Sequence, residues 1–223
     1  MDIKQAVETR HMVRKYRKEP LTAQVVEALT KELDELDQES GLYLTLVTGT
    51  ADGVNPVARM MGKNVDNYIA LAGPDSPDLA LKVGYYGAEA MLVAQTLGLN
   101  SWWIGGLFSE KGALRHVDIP GAKALGVLVV GYGETQGEPH KTKTAAEIAT
   151  WQGPGAQPQW FTDGVDALLK APSALDKQPY TVIGEGDTVS LTCPEGHFAD
   201  VDRGIGMRFF EIGAGKDHFT WKK

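Results

Sequence analysis

The stretch VDALLKAPSALD, residues 165–176, matches VEALTKELDELD, residues 26–37, at six of twelve positions without a gap. The shared residues are Val, Ala, Leu, Lys, Leu and Asp. After each copy comes a short apolar run, LYLTLV or PYTVI, of strand length and strand composition. A helix followed by a strand, written twice in one chain, points to an internal duplication, although amphipathic periodicity alone produces part of such agreement. A weaker echo extends it, GYYGAEAML at 84–92 against DRGIGMRFF at 202–210. On this reading residues 1–150 are one nearly complete unit and residues 151–223 a partial second copy, the two packed as one compact domain.

Working outward, Ile3, Ala6, Val7 and Arg10 keep helical spacing, and Glu19-Pro20 marks a boundary. The segment 21–40 predicts an amphipathic helix with Thr22 as N-cap and Val25, Val26, Leu29, Leu33 and Leu36 on one stripe. Strands are expected at 42–48 and 67–73, and a helix apolar most of the way round, hence buried, at 76–100. LGVLVVGYG, 125–133, is a continuous apolar run suited to the middle of a sheet. A Gly, Pro and Gln-rich connection comes after it. The remainder reads as a helix at 160–172, strands at 179–183 and 187–193, a helix at 200–212 and a terminal strand in HFTW.

Composition narrows the class. With 223 residues, 43% hydrophobic and 23% charged, the chain is that of an ordinary globular protein, and its net charge of −7 argues against a nucleic-acid partner. Cys193 is the single cysteine, which excludes an intrachain disulfide and favours a reducing, cytoplasmic setting. MDIKQAVETR lacks a signal-peptide layout, and no window approaches the roughly 18 apolar residues of a membrane span.

Against that acidic background ETRHMVRKYRK, residues 8–18, holds five Arg and Lys and one His. A solvated face is the bland explanation of such a run. Arg10 and Arg14, however, are four apart, a spacing that returns to one side in a helix or a strand; in extended chain Met12 joins them while His11, Val13 and Lys15 turn away. Two converging guanidinium groups are suited to a phosphate or carboxylate. Lys141 and Lys143 form a second basic pair two residues apart. Other motifs fail. VVGYGETQG lacks the third glycine of a dinucleotide turn, no P-loop or GxSxG is present, and Cys193 with His197 does not make a zinc site. With neither nucleophile nor metal set in view, an enzyme built on this chain would draw its chemistry from a cofactor.

These pieces resemble the FMN-dependent nitroreductases. TRHMVRKY (9–16) is similar to the family's phosphate-binding opening, GLNSWWIGGLF (98–108) to the segment that passes beside the flavin ring, and VLVVGYGETQGEPHKTK to the terminal strand, turn and basic pair that complete the phosphate grip. KAPSALDKQPYTVI (170–183) resembles a segment that in the family lies early in the chain and reaches across a homodimer interface; here it comes late, inside the echo copy. The order resembles a divergent, internally duplicated, pseudo-dimeric branch. Met12 stands where the family usually has Ser, Asp176 where it has Asn, and Gly105 where some relatives carry an acidic residue.

The resemblance implies an α+β, nitroreductase-like fold with a mixed or antiparallel central sheet flanked by helices. It implies FMN as cofactor, NADH or NADPH as reductant and a nitroaromatic or quinone-like small-molecule acceptor. Arg10, His11, Met12, Arg14, Lys141 and Lys143 would hold the phosphate and ribityl chain; Ile104, Gly105 and Gly106 would run along the ring; Pro172, Ser173, Ala174, Asp176 and Gln178 would close the site from the echo copy. Trp103 and Tyr86 could shape the pocket or simply pack the core. No catalytic side chain is expected, since the flavin carries the chemistry. Monomer and homodimer both stay open. So do two rival readings, a flavin-binding protein with little turnover and an interaction domain without flavin.

Overall fold

The computed structural model describes residues 1–222. The chain opens with helix α1 (Ile3–Thr9), which Asp2 caps by accepting from Gln5 N–H, and continues through an extended segment into α2 (Ala23–Ser40). Thr22 caps α2 as its sequence position predicts, and Gly41 ends it at φ 73°, a left-handed conformation that glycine adopts without strain. Next come β1 (Tyr43–Val47), α3 (Pro56–Met61), β2 (Tyr68–Pro74), α4 (Leu79–Thr96), β3 (Asn100–Ile104), α5 (Glu110–Leu114) and β4 (Ala122–Gly131). These strands form one antiparallel sheet in the order β1-β2-β4-β3, and β4, which takes in residues 125–131 of the apolar run, occupies an interior place.

The second part holds α6 (Ala145–Ile148), β5 (Ala149–Trp151), α7 (Gln159–Leu168), β6 (Thr181–Glu185), β7 (Thr188–Thr192), α8 (Ala199–Ala214) and β8 (Thr220–Trp221). Its sheet is mixed, in the order β5-β6-β7-β8, with β6 and β7 antiparallel and both edge strands parallel to their neighbours. The architecture is thus α+β, with sheets flanked by helices. With the short α3 set aside, the order α2, β1, β2, α4, β3 recurs as α7, β6, β7, α8, β8. β2 and β3 run in the same direction on either side of β4, and β7 and β8 run in the same direction as direct neighbours. The two echoing stretches themselves diverge. Residues 26–37 lie wholly within α2, whereas α7 stops at Leu168 and Pro172 bars its continuation.

One core runs through both parts. It joins Leu29, Leu71, Leu128 and Met91 of the first to Phe161, Val182, Phe209 and Phe210 of the second, and a smaller cluster around Tyr16, Tyr68, Trp102 and Val129 fills the other face of the first sheet. The join is made by α4 crossing α8. A methyl on Gly84 would strike the carbonyl oxygen of Val201, and one on Gly204 that of Leu81, so the two backbones touch. Beyond the crossing, Arg208 pairs with Glu89 of α4, and the buried Glu211 accepts from Tyr85 Oη and, at 2.7 Å, from Trp221 Nε1. Gly204→Ala leaves the methyl nowhere to go but against backbone. A destabilisation of about 3 kcal/mol is expected from this overpacking, read as a lower denaturant midpoint with unchanged slope.

At the end of α2 both carboxylate oxygens of Asp37 accept the Leu44 N–H, each at 2.9 Å, which fixes the entry to β1. Burial outweighs that hydrogen bond and pushes the Asp37 carboxyl up to about 7. A folded value above the unfolded one means that the contribution is fully present below the unfolded value, about 4, and is lost as pH rises through 7. Asp37→Asn keeps an acceptor for Leu44. It is expected to equal wild type near pH 4 and to exceed it by on the order of 1 kcal/mol above pH 7 in denaturant titrations.

Candidate functional site

Residues 10–17 are extended and laid across the ends of β3 and β4. Val13 N–H donates to Ser101 O at 3.0 Å, Tyr16 N–H to Lys63 O at 3.0 Å and Arg17 N–H to Tyr132 O at 2.8 Å. Val13 and Tyr16 are buried anchors, the Tyr16 hydroxyl donating to Val13 O at 2.6 Å. Pinned in this way, the alternation of extended chain puts Arg10, Met12 and Arg14 in the wall of one cavity of about 740 Å³. That size suits a ligand of cofactor dimensions.

Arg10 is 4% exposed, and its Nη2 donates to Lys170 O at 3.3 Å. Burial pushes its guanidinium down to about 10, against the pull of Asp176, so it remains charged at neutral pH. The Arg14 guanidinium lies 5.1 Å from the Trp102 ring centroid, in cation–π range. Both arginines keep a buried Nε–H with no hydrogen-bond partner. Two buried, unpartnered donors on permanent cations in one cavity wall are costly on their own and fit an anion.

A second wall is formed by the end of β3 and the bend beyond it: Trp102, Trp103, Ile104, Gly105, Gly106 and Leu107. A methyl on Gly105 would come within 3.1 Å of the Phe198 ring, so glycine lets that backbone run bare beneath Phe198. The third wall is Pro172 to Asp176 together with Phe198, Val201, Asp202 and Ile205 around the start of α8, and Gly137 to His140 lie between the walls. The cavity therefore draws on both parts of the chain.

Of the residues expected from sequence, Arg10, Met12, Arg14, Ile104, Gly105, Gly106, Pro172, Ser173, Ala174, Asp176 and Trp103 line it. Others do not. His11 faces away from the arginines, as alternation requires, and burial, with the charge of Arg10, pushes its imidazole down. Lys141 is exposed, and Lys143 sends its ammonium to Gln178 O at 2.8 Å. Gln178 is 1% exposed, its Oε1 accepting Lys143 N–H at 2.7 Å and its Nε2 donating to Leu169 O at 2.7 Å. It joins the loop after β4 to the loop before β6 behind the cavity wall. Tyr86 donates to Glu39 at 3.2 Å, outside the lining. Sequence reasoning missed Glu138, His140, Phe198 and Asp202. The first two sit in the GEPHKTK segment, where their basic neighbours carry the stronger signal, whereas no local pattern marks the other two. Among the described residues no group of His, Cys, Asp and Glu could hold a metal ion, and no helix is long and apolar enough to cross a membrane.

A family model described as "Putative TM nitroreductase" matches residues 2–214. The chain belongs to this nitroreductase family. Among solved structures, a Thermotoga maritima protein of the same description aligns with a TM-score of 0.64 at 19% identity over 97% of this chain and 85% of its own. The nitroreductase family protein of Streptococcus pneumoniae TIGR4 aligns with a TM-score of 0.53 at 14% identity, over 66% of this chain and 98% of its own. A Desulfovibrio desulfuricans protein described as a "putative nitroreductase in complex with fmn" gives 0.51 at 11% identity, over 66% and 95%. At these identities the likeness is one of fold. No curated protein matches.

Gln178→Ala removes the clasp between the two loops while leaving every cavity-lining side chain in place. Leaving buried partners unsatisfied is expected to lower stability by about 2 kcal/mol and to speed amide exchange at Lys143. Protection at Lys143 equal to that of wild type would show the clasp to be idle.

Proposed function

We propose that this nitroreductase-family chain is an FMN-dependent NAD(P)H oxidoreductase acting on a nitroaromatic or quinone-like acceptor in the cytoplasm. The observation that carries the reading is the pair of buried, unpartnered Nε–H groups of Arg10 and Arg14 in one cavity wall. A phosphate dianion would accept from the two guanidinium groups, and each charged hydrogen bond is worth roughly 1.5–3 kcal/mol. The bare backbone of Gly105 and Gly106, with Trp102, Trp103 and Phe198 near it, suits a flat ring system. When bound, FMN would supply two-electron transfer from the nicotinamide to the acceptor. The chain's own part is to hold the phosphate, to bury the ring between β3 and α8 and to leave an opening bordered by Met12, Met61, Leu107 and Leu175, all 39% or more exposed.

The same reading takes residues 1–150 as the phosphate-binding half and 151–223 as a partial second copy that completes the site. Supporting it are the recurring element order and the sharing of the cavity between the two parts. Lys141 would assist the phosphate from outside, while Lys143 and Gln178 position the loop that carries Gly137 to His140.

Purified protein, or protein incubated with FMN, is expected to be yellow, to bleach on addition of NADH or NADPH and to recolour with a quinone. Arg10→Ala and Arg14→Ala are each expected to weaken FMN binding about 10-fold or more, and Lys141→Ala by less, as read by quenching of flavin fluorescence. A colourless protein that takes up no added FMN would sink the proposal.

A further inference from the structure

Asp202 is the cavity residue that anion binding leaves unused. It sits in the first turn of α8, 5% exposed, and lines the cavity. Its Oδ1 accepts the Ala174 N–H at 2.9 Å, which holds the loop before β6 against α8. Among the described residues, its Oδ2 has no hydrogen-bond partner and no cation stands within ion-pair distance of it. A carboxylate so placed is expensive to keep charged, because one backbone N–H and the start of α8 only partly repay the water it has lost.

We propose that Asp202 is a ligand-facing residue of this cavity that carries a proton when FMN is bound, so that uptake of the anionic cofactor and protonation of Asp202 are one linked event. The inference rests on the flavin reading above.

The surroundings of Asp202 lack a charge to pair with it. Tyr180, beside β6, has its phenol pushed well up by burial and then by the Asp202 charge, and the Cys193 thiol after β7 is pushed up to about 12 for the same two reasons in that order. Both are neutral at working pH. On α8 itself, Asp200 is tied to Arg203 at 3.1 Å, and from α4, Lys82 is tied to Asp78 at 3.1 Å. Across the cavity, the charge of Arg10 feels that of Asp176 without forming an ion pair with it, and Glu138 and His140 both lie in the lining loop. Burial pushes the Asp202 carboxyl up to about 6, opposed only by the Ala174 N–H. A phosphate dianion and a flavin ring entering the same cavity add negative charge and exclude water, and both raise it further.

The energetic consequence has a definite sign. Below pH 6 Asp202 is neutral and indifferent to the cofactor; above it, the empty site must take up a proton to bind, and affinity falls with rising pH. Asp176 also lines the cavity, but it is exposed, and solvent screens it.

The test is FMN affinity, by fluorescence quenching, for wild type, Asp202→Asn and Asp176→Asn at about pH 5 and about pH 8. The phosphate's own titration is common to all three proteins and cancels in their ratios. Wild type and Asp202→Asn are expected to agree within about twofold at the lower pH, and Asp202→Asn to bind on the order of a hundredfold more tightly at the higher, tenfold for each pH unit above about 6. Asp176→Asn is expected to keep the wild-type pH dependence. In weak buffer at about pH 7.5, where the free phosphate is already ionised, FMN addition to wild type is expected to take up protons, and to Asp202→Asn fewer. A wild-type to Asp202→Asn ratio that is constant across pH, or absence of proton uptake by wild type, overturns this inference alone. Failure of every protein to bind FMN at either pH overturns the flavin reading and this inference with it.

Discussion

Everything that makes the cavity depends on the contact of two bare backbones, α4 and α8, at Gly84 and Gly204. Helices can approach this closely only where neither presents a side chain. The crossing draws the second sheet and its helices onto the back of the first, buries Met91 of α4 beside Ile205 of α8 and brings the first turn of α8 to the end of β3. Farther along, the crossing is held by the ion pair of Arg208 with Glu89 and by the hydrogen bond from Tyr85 to Glu211, where burial is deep enough for each partner to need the other. Widening the crossing by one methyl on each side would move Val201, Asp202 and Ile205 out of a wall whose opposite side is fixed by the extended segment at residues 10–17.

That extended segment was the most legible part of the site. Alternation along a strand needs no knowledge of the fold, and it separated Arg10, Met12 and Arg14 from His11 and Val13. The long helices and the apolar strands were legible for the same reason, since periodicity survives any tertiary setting. The short pieces were not. α3, α5 and β5 have six, five and three residues, too few for a period to show. The strand β3 was hidden inside a stretch dominated by the signal of its tryptophans and glycines. Lys143 shows another limit, because spacing gives the side on which a residue lies and not the partner it finds there. The backbone carbonyl of buried Gln178 receives that ammonium behind the wall, and no local pattern encodes a contact across 35 residues.

The echo between residues 26–37 and 165–176 misled and informed at once. It aligned Asp37 with Asp176, yet the first is bound to Leu44 N–H at the end of a helix and the second lies exposed in a loop. The two stretches share residues but not backbone, because Pro172 ends the helix where residues 26–37 continue theirs. What replaced it is a loop with Leu175, Asp176 and Gln178 at φ 56°, 53° and 45°, left-handed conformations that non-glycine residues hold only when their surroundings insist. The surroundings here are Asp202 on Ala174 N–H and Ser173 Oγ on Gln178 N–H. Strain in the loop and the clasps at its ends are two views of one fact, and the loop they shape is a cavity wall.

Because residues 10–14, 101–107, 137–140, 172–176 and 198–205 of a single chain meet in this cavity, its assembly is a first-order process. A substitution in any of these stretches changes the pocket of the chain that carries it.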